Sequence, residues 1–512
     1  MTCTQKRGDA PSIVIIGAGF SSVCTAIKLL EAGIDTFSIF EKGDRVGGVW
    51  CTNTYPGAGC DVQSHLYSYS FAPTYDWTRK YATQHEIRAY VEQCAERYGV
   101  LPRIRFKTAV LSATFDRIAG DWAVHTSDGS LHRARILIGA TGQLGRPAFP
   151  AIPGLDGFHG RLFHSAQWPH DYELTARTVA VIGTGASAIQ FVPEIAPKVK
   201  TLHLFQRSAP WVLRKRDRVY TAPERWLFRT VRPWTRLYRG YLYCRNESRA
   251  LAFANAFGLK RLLKGSEWSV RARIRRHIKD RTLRATLTPG YPLGCKRVLL
   301  SDAWYPALAR KNVNVVTAHI ARVDENTIVD RDGVRRAVDT IILGTGFDPT
   351  GYQVSMTGLD GRNLGETWRR DGAEAYKGIS VAGFPNLFLL YGPNTGLGHQ
   401  SIVYMIESQV AYVMRCIRLL RDRRLHYIDV RADRQRAYND RLQQRFQHTI
   451  WSDGCASWYK LPTGKITHLW PGFTFDYRHS TGTLDLADYH LIPQSSPGSQ
   501  GKALNDRIRT DR

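Results

Sequence analysis

The chain lacks any Cys-x-x-Cys pair, and none of its apolar runs approaches the length of a membrane span. Its nine cysteines are scattered over 512 residues. An odd number of cysteines at wide spacing argues against a disulfide framework and against a zinc site, so no metal is expected. Residues 1–11 also lack the apolar core of a signal peptide. A cytoplasmic location is therefore the default prediction.

Acidic residues are scarce, because 44 Asp and Glu stand against 71 Lys and Arg and leave a formal net charge of +27. Such a field attracts polyanions and membrane surfaces. No basic run is interleaved with a recognisable nucleic-acid module, so most arginines are expected on solvated faces or beside anionic phosphates. We expect no nucleic-acid partner, and a membrane surface is a secondary alternative.

Two separate segments show the strand, glycine turn, helix and strand of a mononucleotide-binding βαβ unit. In the first, a strand at 12–16 and a turn at 17–20 precede a helix at 21–32 and a strand at 36–40. The second repeats this order, with a strand at 178–182, a turn at 183–185, a helix at 186–195 and a strand at 201–205. The chain is therefore predicted to hold two dinucleotide-binding units.

Two further strand-plus-glycine segments, at 134–142 and 338–347, bracket the second unit. They are interpreted as crossings between domains, so the second nucleotide domain is inserted into the first. The predicted fold class is α/β, with two Rossmann-type dinucleotide-binding domains, the second inserted into the first, and a helical insertion. The first domain is predicted in two parts, at 10–145 and 336–490. The inserted second domain is predicted at 150–335, with the helical insertion at about 220–285, and a disordered tail is predicted at 491–512.

The first turn reads Gly17-Ala-Gly19-Phe-Ser-Ser22 and opens a helix, so its backbone amides and the helix dipole can receive a pyrophosphate. Ser22 replaces the third glycine and is small enough for close helix–strand packing. Glu41 lies 24 positions after Gly17 and closes the second strand. A carboxylate at that position accepts the adenosine ribose hydroxyls and repels a 2′-phosphate. This turn is therefore predicted to bind FAD.

The second turn reads Gly183-Thr-Gly185-Ala-Ser-Ala188, and Arg207 stands at the corresponding position, again 24 residues on. A guanidinium there favours a 2′-phosphate and hence NADPH over NADH. One acidic and one basic unit in the same chain together indicate an FAD site and an NADPH site.

Between the two turns, the segment Phe158-His-Gly160-Arg-Leu-Phe-His164-Ser-Ala-Gln-Trp168 resembles the fingerprint of Baeyer–Villiger monooxygenases. Related flavin-containing and N-hydroxylating monooxygenases usually carry another residue at the last position, so Trp168 favours the Baeyer–Villiger branch. The resemblance extends from about residue 12 to about residue 475.

Other stretches carry the same resemblance. The segment 47–50 resembles the family's flavin segment, 55–61 the segment that ends in its active-site aspartate, Asp61, and 291–297 the segment that carries its active-site arginine, Arg297. By this resemblance Lys296 assists Arg207 with the 2′-phosphate, and Trp458 belongs to a mobile loop that closes over the nicotinamide.

Three positions depart from the family pattern. Val49 stands where threonine is usual, Gly59 precedes Cys60 where a larger residue often sits, and the sequence after Trp458 lacks the family's common form. The segment 392–401 resembles a subgroup that acts on open-chain ketones. The geometry on the substrate side and the identity of the ketone are therefore left open.

The resemblance implies an NADPH- and dioxygen-dependent flavin monooxygenase that forms an ester or lactone from a ketone through a flavin peroxide. Arg297, as a permanent cation, is expected to stabilise the peroxide anion and the oxyanion of the adduct. Asp61 is expected to hold Arg297 in place. His164 is interpreted as structural rather than as a base, and Phe158 and Trp168 as packing residues.

The turns and the segments of resemblance together predict the residues that contact the two cofactors. They are Gly17, Gly19, Ser22, Glu41, Lys42, Gly48, Val49, Trp50, Asp61, Tyr67, Thr184, Gly185, Ser187, Ala188, Gln190, Arg207, Ser208, Lys296 and Trp458.

Three alternatives remain at this stage. The same fold can oxidise sulfur or nitrogen instead of a ketone. A flavin disulfide reductase needs paired cysteines beside the flavin, and Cys51 and Cys60 are too far apart for that motif. The basic insertion, with Trp226, Trp234 and Leu237 among many arginines, could rest on anionic lipid or a polyanion, or could form a lid over the substrate entrance. The oligomeric state is left open.

Overall fold

A computed structural model describes residues 11–254, 258, 261–348, 354–452, 454–455 and 457–494. Most of the predicted disordered tail, from 495 onward, lies outside these residues. Two parallel sheets, each with helices against it, form the frame of the molecule, which confirms the predicted α/β class with two Rossmann-type units.

The first parallel sheet draws its strands from two separated parts of the chain. The strand sequence Ile13-Val-Ile-Ile is buried along its whole length, as expected when both faces of a parallel sheet are covered. In spatial order the strands are β19 (Leu387–Leu389), β7 (Ile136–Gly139), β1 (Ile13–Ile16), β2 (Phe37–Phe40) and β3 (Ile104–Arg105).

The second parallel sheet lies in the chain between the two parts of the first. Its strands, in spatial order, are β13 (Val313–Val316), β10 (Thr201–Phe205), β9 (Thr178–Ile182), β17 (Thr340–Leu343) and β8 (Arg161–His164). The predicted strands at 178–182 and 201–205 coincide with β9 and β10.

Smaller sheets extend this frame. One contains β4 (Val110–Asp116), β5 (Asp121–Thr126), β6 (Leu131–Ala134) and β18 (Ser355–Thr357). A second contains β14 (Ile320–Asp324), β15 (Thr327–Asp330) and β16 (Arg335–Ala337). Two more have two strands each: β11 (Val212–Leu213) with β12 (Leu299–Leu300), and β20 (Leu425–Val430) with β21 (Tyr489–Pro493).

Helices cover the sheets. They are α1 (Phe20–Glu31), α2 (Val49–Thr52), α3 (Gln84–Arg97), α4 (Ala188–Ile195), α5 (Ala222–Thr230), α6 (Arg232–Glu247), α7 (Ala250–Phe253), α8 (Leu263–His277), α9 (Arg281–Leu287), α10 (Trp304–Leu308), α11 (Leu364–Asp371), α12 (Ile402–Asp422), α13 (Ala432–Phe446) and α14 (Thr474–Ser480). The long helix α12 packs against α1, so the second part of the chain covers the helix that follows the first nucleotide turn. Helices α5 to α9 occupy the segment predicted as a helical insertion.

Two antiparallel crossings connect the frames of the two sheets. The Ala148 N–H donates to the Gly346 carbonyl at 2.9 Å, and the Asp348 N–H donates to the Arg146 carbonyl at 2.9 Å. The side chains of Arg146 and Asp348 also form an ion pair. The segment that leaves the first sheet, at 146–148, and the segment that returns to it, at 346–348, therefore lie next to each other.

The start of the predicted tail is a correction. Residues 491–493 belong to β21, in which Leu491 pairs with Ile428 and Ile492 with Tyr427. The Ser- and Gly-rich composition that follows led to the prediction of disorder, but the apolar residues before it complete an antiparallel pair.

Candidate active site

A cavity of about 1410 Å³ lies between the two frames, at the carboxyl ends of β1 and β9. Both glycine turns open onto it, as do the segments 47–50, 58–62 and 296–297. The carboxyl edge of a doubly wound sheet is where nucleotides bind. The cavity therefore brings the two predicted nucleotide turns and the predicted catalytic segments together.

The first turn is built from close backbone contacts. Gly17 has φ +96°, and a Cβ there would lie 3.0 Å from the Ala140 carbonyl oxygen. Gly48, at φ +58°, approaches so closely that its Cβ would lie 3.1 Å from the Cα of Gly19. Side chains at these positions would press against neighbouring backbone, so glycine is needed for the segments to come this close. This is the cradle that a dinucleotide pyrophosphate needs at the start of α1.

The Glu41 carboxylate is held by backbone amides at the end of β2. One of its oxygens accepts from the Ala18 N–H and the other from the Gly43 N–H, both at 2.7 Å. Each carboxylate oxygen keeps a further acceptor site. The fixed carboxylate at the cavity wall therefore fits a ribose diol, as the spacing predicts.

The second turn has the same construction. Gly183 has φ +108°, and a Cβ there would lie 2.4 Å from the Gly344 carbonyl oxygen. Gly17 and Gly183 thus each press against the crossing segment that follows the neighbouring strand. This repetition supports two dinucleotide sites in one chain.

Two cations meet beside the second turn. Arg207 is exposed at the cavity wall, and the Lys296 ammonium donates to the Ser208 hydroxyl at 3.0 Å. Burial and the positive charge of Arg207 hold the pKa of Lys296 below its usual value. Within the described residues, neither side chain forms an ion pair. An anionic group fits between them, which agrees with the predicted site for a 2′-phosphate.

The predicted catalytic pair is formed. The Arg297 guanidinium donates to the Asp61 carboxylate at 2.6 Å, and about a third of each side chain faces the cavity. Burial alone would raise the pKa of Asp61, but the charge and hydrogen bond of Arg297 outweigh it and hold this pKa below its usual value. The charge of Asp61 in turn raises the pKa of Arg297. Both groups are therefore ionised at neutral pH.

Local structure holds each partner of this pair. Arg297 comes just before β12, which pairs with β11, the strand that follows Arg207 and Ser208. The Leu299 N–H donates to the carbonyl of buried Trp211 at 3.0 Å. On the other side, the Cys60 N–H donates to the Ala82 carbonyl at 3.0 Å and fixes the residue before Asp61.

A bridge of side chains joins the two nucleotide units beside this pair. The Tyr55 hydroxyl donates to the Gln190 amide oxygen at 2.9 Å, and the Gln190 NH₂ donates to the Gly59 carbonyl at 2.9 Å. Gln190 belongs to α4, the helix of the second unit. The second nucleotide turn is thus connected to the segment that carries Asp61.

The fingerprint residues make structural contacts. The buried His164 imidazole accepts from the Ala166 N–H and donates through Nε2 to the Gly346 carbonyl at 2.9 Å. Burial holds the pKa of His164 below its usual value, so the ring is neutral. Trp168 packs edge-on against Phe163 and contacts Phe191, and Phe158 packs on the second sheet. His164 therefore ties the end of β8 to the returning crossing.

One disulfide departs from the expectation drawn from cysteine spacing. Cys295 and Cys455 are bonded, with their Cα atoms 6.3 Å apart, although 160 residues separate them in sequence. The bond joins the residue before Lys296 to the segment of Trp458, which lines the cavity. The spacing of the cysteines in the sequence did not indicate this disulfide, because only the fold brings the two residues together.

Almost all the predicted site residues line the cavity. They are Gly17, Gly19, Glu41, Lys42, Gly48, Val49, Trp50, Asp61, Tyr67, Thr184, Gly185, Ser187, Gln190, Arg207, Ser208, Lys296, Arg297 and Trp458. Ser22 and Ala188 do not line it. Both are completely buried behind their turns, and Ala188 lies against the backbone of Gly344. Their small size lets each helix approach its sheet.

Several cavity residues were missed by sequence reasoning. Tyr55 and Tyr391 stand in segments already singled out, at 55–61 and next to 392–401, but their facing direction depends on the fold. Residues 317–320, after β13, line the cavity near the second turn. Residues 317–320 could have been predicted from their place after a parallel strand, because nucleotides bind at the carboxyl ends of such strands.

The described residues contain neither a candidate metal cluster nor a candidate membrane span. No group of three His, Cys, Asp or Glu side chains there is placed to hold a metal ion. No helix in the described part of the chain has both the length and the apolarity to cross a membrane.

Comparisons with known proteins identify relatives of this chain. The family model of flavin-binding monooxygenase-like proteins matches residues 10–232. A Baeyer–Villiger monooxygenase of Pseudomonas aeruginosa is 47% identical over 484 residues, which cover 94% of this chain and 91% of that protein. A Baeyer–Villiger monooxygenase of Streptomyces coelicolor is 43% identical, over 94% of this chain and 92% of that protein.

Solved structures show the same architecture. An oxidised steroid monooxygenase bound to NADP has a TM-score of 0.81 at 30% identity, over 95% of this chain and 100% of that one. A complex of OTEMO with FAD and NADP has a TM-score of 0.84 at 26% identity, over 95% and 100% of the two chains.

Proposed function

The chain belongs to the Baeyer–Villiger monooxygenase family, and we propose that Arg297 and Asp61 form the catalytic pair with which it oxidises a ketone. It is an FAD-dependent monooxygenase that uses NADPH and dioxygen to give an ester or lactone. When bound, NADPH supplies a hydride and the reduced FAD activates dioxygen. The proposal rests on the ion pair of Arg297 and Asp61, which lies in the wall of the cavity onto which both nucleotide turns open.

The two cofactors are assigned to different turns by charge. The Glu41 carboxylate and the glycine cradle at Gly19 and Gly48 favour FAD at the first turn, since a 2′-phosphate beside Glu41 would be repelled. Arg207 and Lys296 favour NADPH at the second. We infer an FAD-binding domain from residues 10–145 and from about 346 to 490, and an NADPH-binding domain from 150 to about 345. The boundary predicted at 335–336 is corrected, because β17 (Thr340–Leu343) pairs with β8 and β9 and belongs to the second sheet.

Arg297 acts as a fixed positive charge. A guanidinium stays protonated at every physiological pH, and the charge of Asp61 raises its pKa further. Attack on a ketone puts negative charge on the carbonyl oxygen, which a preorganised cation in a partly desolvated cavity stabilises by several kcal/mol. Arg297 cannot give up a proton, so it stabilises this charge without neutralising it.

Asp61 orients Arg297 and balances its charge. The carboxylate keeps the guanidinium at the cavity wall, and hydrogen bonds of the Gly59 and Cys60 backbone fix the segment just before Asp61. Because Gln190, on α4 of the second unit, binds the Gly59 carbonyl, a shift of that unit would move the segment that carries Asp61. The pair is therefore placed to respond when the coenzyme shifts.

The substrate is a small ketone with an apolar body. On the side of α12, the cavity wall carries Leu397, Ile402 and Ile406. Apolar side chains there exclude water and pack on alkyl groups. The resemblance of the segment 392–401 to enzymes of open-chain ketones adds weight to a linear substrate.

A substrate panel tests this function. The purified protein with bound FAD is offered NADPH and an open-chain ketone, a cyclic ketone or a thioether, and dioxygen uptake and products are measured. Esters or lactones are expected from the ketones. A protein that oxidises only the thioether would support the sulfur-oxidising alternative instead.

Variants then test the catalytic pair. Arg297→Ala should keep the absorbance of bound FAD and lose ester formation by on the order of 100-fold, as for removal of a key oxyanion donor. Arg133→Ala is a matched control, because Arg133 pairs with Asp116 at 3.0 Å on β4 and β6, away from the cavity. Ketone oxidation at the normal rate by Arg297→Ala would exclude this assignment.

A further inference from the structure

Helices α5 and α6 present apolar side chains to solvent. Trp226, Trp234, Leu237 and Tyr241, together called the aromatic face, are all exposed, Leu237 by 69% and Trp226 by 62%. Soluble proteins seldom leave so many large apolar side chains together, and such a patch marks an interaction surface.

The aromatic face is not a lid over the active site. None of its four residues lines the large cavity. The opposite sides of the two helices hold them to the body of the protein, through Phe228 and Leu242, which are buried. The Thr235 hydroxyl also donates to the Phe228 carbonyl between the two helices. The aromatic face therefore points away from the cavity and toward solvent.

The surrounding charge is strongly positive. Residues 222–287 contain 17 Lys and Arg but only 4 Asp and Glu, so this segment carries about half of the net charge of +27. Of its acids, Glu224 pairs with Arg218 and caps α5, and Glu247 is buried. Glu267 is half-buried and pairs with Arg271, and the exposed Asp280 caps α9. The exposed surface of the segment is thus predominantly cationic.

The arrangement of α6 is that of a helix at an interface. At about 100° per residue, Trp234, Leu237 and Tyr241 lie on one side of the helix, which faces outward. Arg236 lies to one side of this row, about 100° from Leu237. Beside this helix a second cavity of about 420 Å³ is lined by Arg97, Arg232, Arg236 and Arg239. Arg239 binds the backbone of His65 and Ser68, but among the described residues Arg97, Arg232 and Arg236 form no ion pair. Arg97, Arg232 and Arg236 therefore remain available to anionic groups.

We propose that the aromatic face and its arginines bind the surface of an anionic phospholipid bilayer. Trp and Tyr prefer the boundary between headgroups and acyl chains, and each Lys or Arg near an anionic surface adds about 1 kcal/mol. A second copy of this chain is a poorer occupant, because the same face would bring arginines against arginines. The small arginine-lined cavity accommodates a phosphate headgroup.

Vesicle sedimentation tests the proposal with the full chain carrying FAD. Vesicles of phosphatidylcholine with phosphatidylglycerol should sediment the protein at low salt, and vesicles of phosphatidylcholine alone should not. Arg232→Glu/Arg236→Glu should weaken binding by roughly tenfold or more. Trp234→Ala/Leu237→Ala should weaken it too, while the remaining binding keeps its salt dependence. Arg117→Glu/Ile118→Ala is the matched control, because both residues are exposed in the turn between β4 and β5, Ile118 by 90%.

Retained FAD absorbance and unchanged NADPH oxidation show that each variant is folded. Equal binding to neutral vesicles, or binding that the face variants do not alter, overturns the proposal. It is also overturned if the Trp234→Ala/Leu237→Ala variant changes the oligomeric mass in solution but not vesicle binding, since the face would then join copies of the chain. Stronger binding to single-stranded DNA than to anionic vesicles would assign the arginines to nucleic acid instead.

Discussion

The Arg297 guanidinium donates to the Asp61 carboxylate across 2.6 Å, although 236 residues separate the two in the chain. Asp61 follows the first nucleotide unit, and Arg297 follows the helical insertion of the second. The contact is therefore also a contact between the two units, and its loss should affect catalysis.

Replacement of Asp61 should lower turnover more than binding. Asp61→Ala frees the guanidinium, and a misplacement of about 1 Å can cost on the order of 100-fold in kcat. Asp61→Asn should lose less, because the amide oxygen still accepts from Arg297. FAD content and the KM for NADPH should change little in both variants. Steady-state kinetics of ester formation check this, and equal kcat values for Asp61→Ala and the unchanged protein would contradict it.

Arg207 and Lys296 should set the choice of coenzyme. Removing one charged hydrogen bond to a phosphate costs about 1.5–3 kcal/mol, so Arg207→Ala or Lys296→Ala should raise the KM for NADPH by tenfold to roughly 100-fold. The KM for NADH, which has no 2′-phosphate, should stay nearly constant. Lys200→Ala is a control, since this exposed lysine precedes β10 at the opposite end of the strand. Equal effects on the two coenzymes would exclude a phosphate contact.

The sequence was most informative where a short local pattern determines the structure. The spacing from Gly17 to Glu41 and from Gly183 to Arg207 predicted which side chains close each nucleotide site, because turn, helix and strand have fixed lengths. The pattern also predicted that Ser22 allows close packing of helix on strand, but Ser22 and Ala188 were still counted among the cofactor contacts and do not line the cavity. Both belong to the third position of the turn, which packs against the sheet.

Contacts between distant segments were beyond such patterns. Asp61 and Arg297 were paired through the family resemblance alone, and the bond between Cys295 and Cys455 was not expected. The strand at 491–493 was missed because its partner, β20, lies more than 60 residues earlier in the chain. In each case the tertiary fold, rather than local composition, decides the neighbour.

Asp429 should make the stability of the protein depend on pH. This carboxylate is buried and accepts from the Gly383 N–H, and burial raises its pKa to about 7. Because the folded state holds the proton more tightly than the unfolded chain, stability should fall as pH rises from 5 to 8, by about 2 kcal/mol from this group. Asp429→Asn should remove that part of the dependence. Urea unfolding at pH 5 and pH 8 measures it, and an identical pH dependence in the variant would contradict the prediction.

The disulfide between Cys295 and Cys455 should stabilise the active-site wall. It encloses a long stretch of chain and ties the residue before Lys296 to the segment of Trp458, so Cys295→Ser should lower the free energy of unfolding by about 2–4 kcal/mol. A reductant should lower the melting temperature of the unchanged protein to that of Cys295→Ser and have no effect on the variant. Cys244→Ser, at an exposed free cysteine, is the control.

The same bond should matter for the coenzyme as well as for stability. Trp458 and Lys296 lie on the two segments that it joins, and both line the cavity. Without the bond, the Trp458 segment loses its covalent link to the site of the 2′-phosphate, so the KM for NADPH should rise in Cys295→Ser and Cys455→Ser alike. Equal rises in the two variants, mimicked by reductant, identify the bond itself as the cause. If only one variant is impaired, that cysteine acts as a separate side chain and the link between the two segments does not determine coenzyme binding.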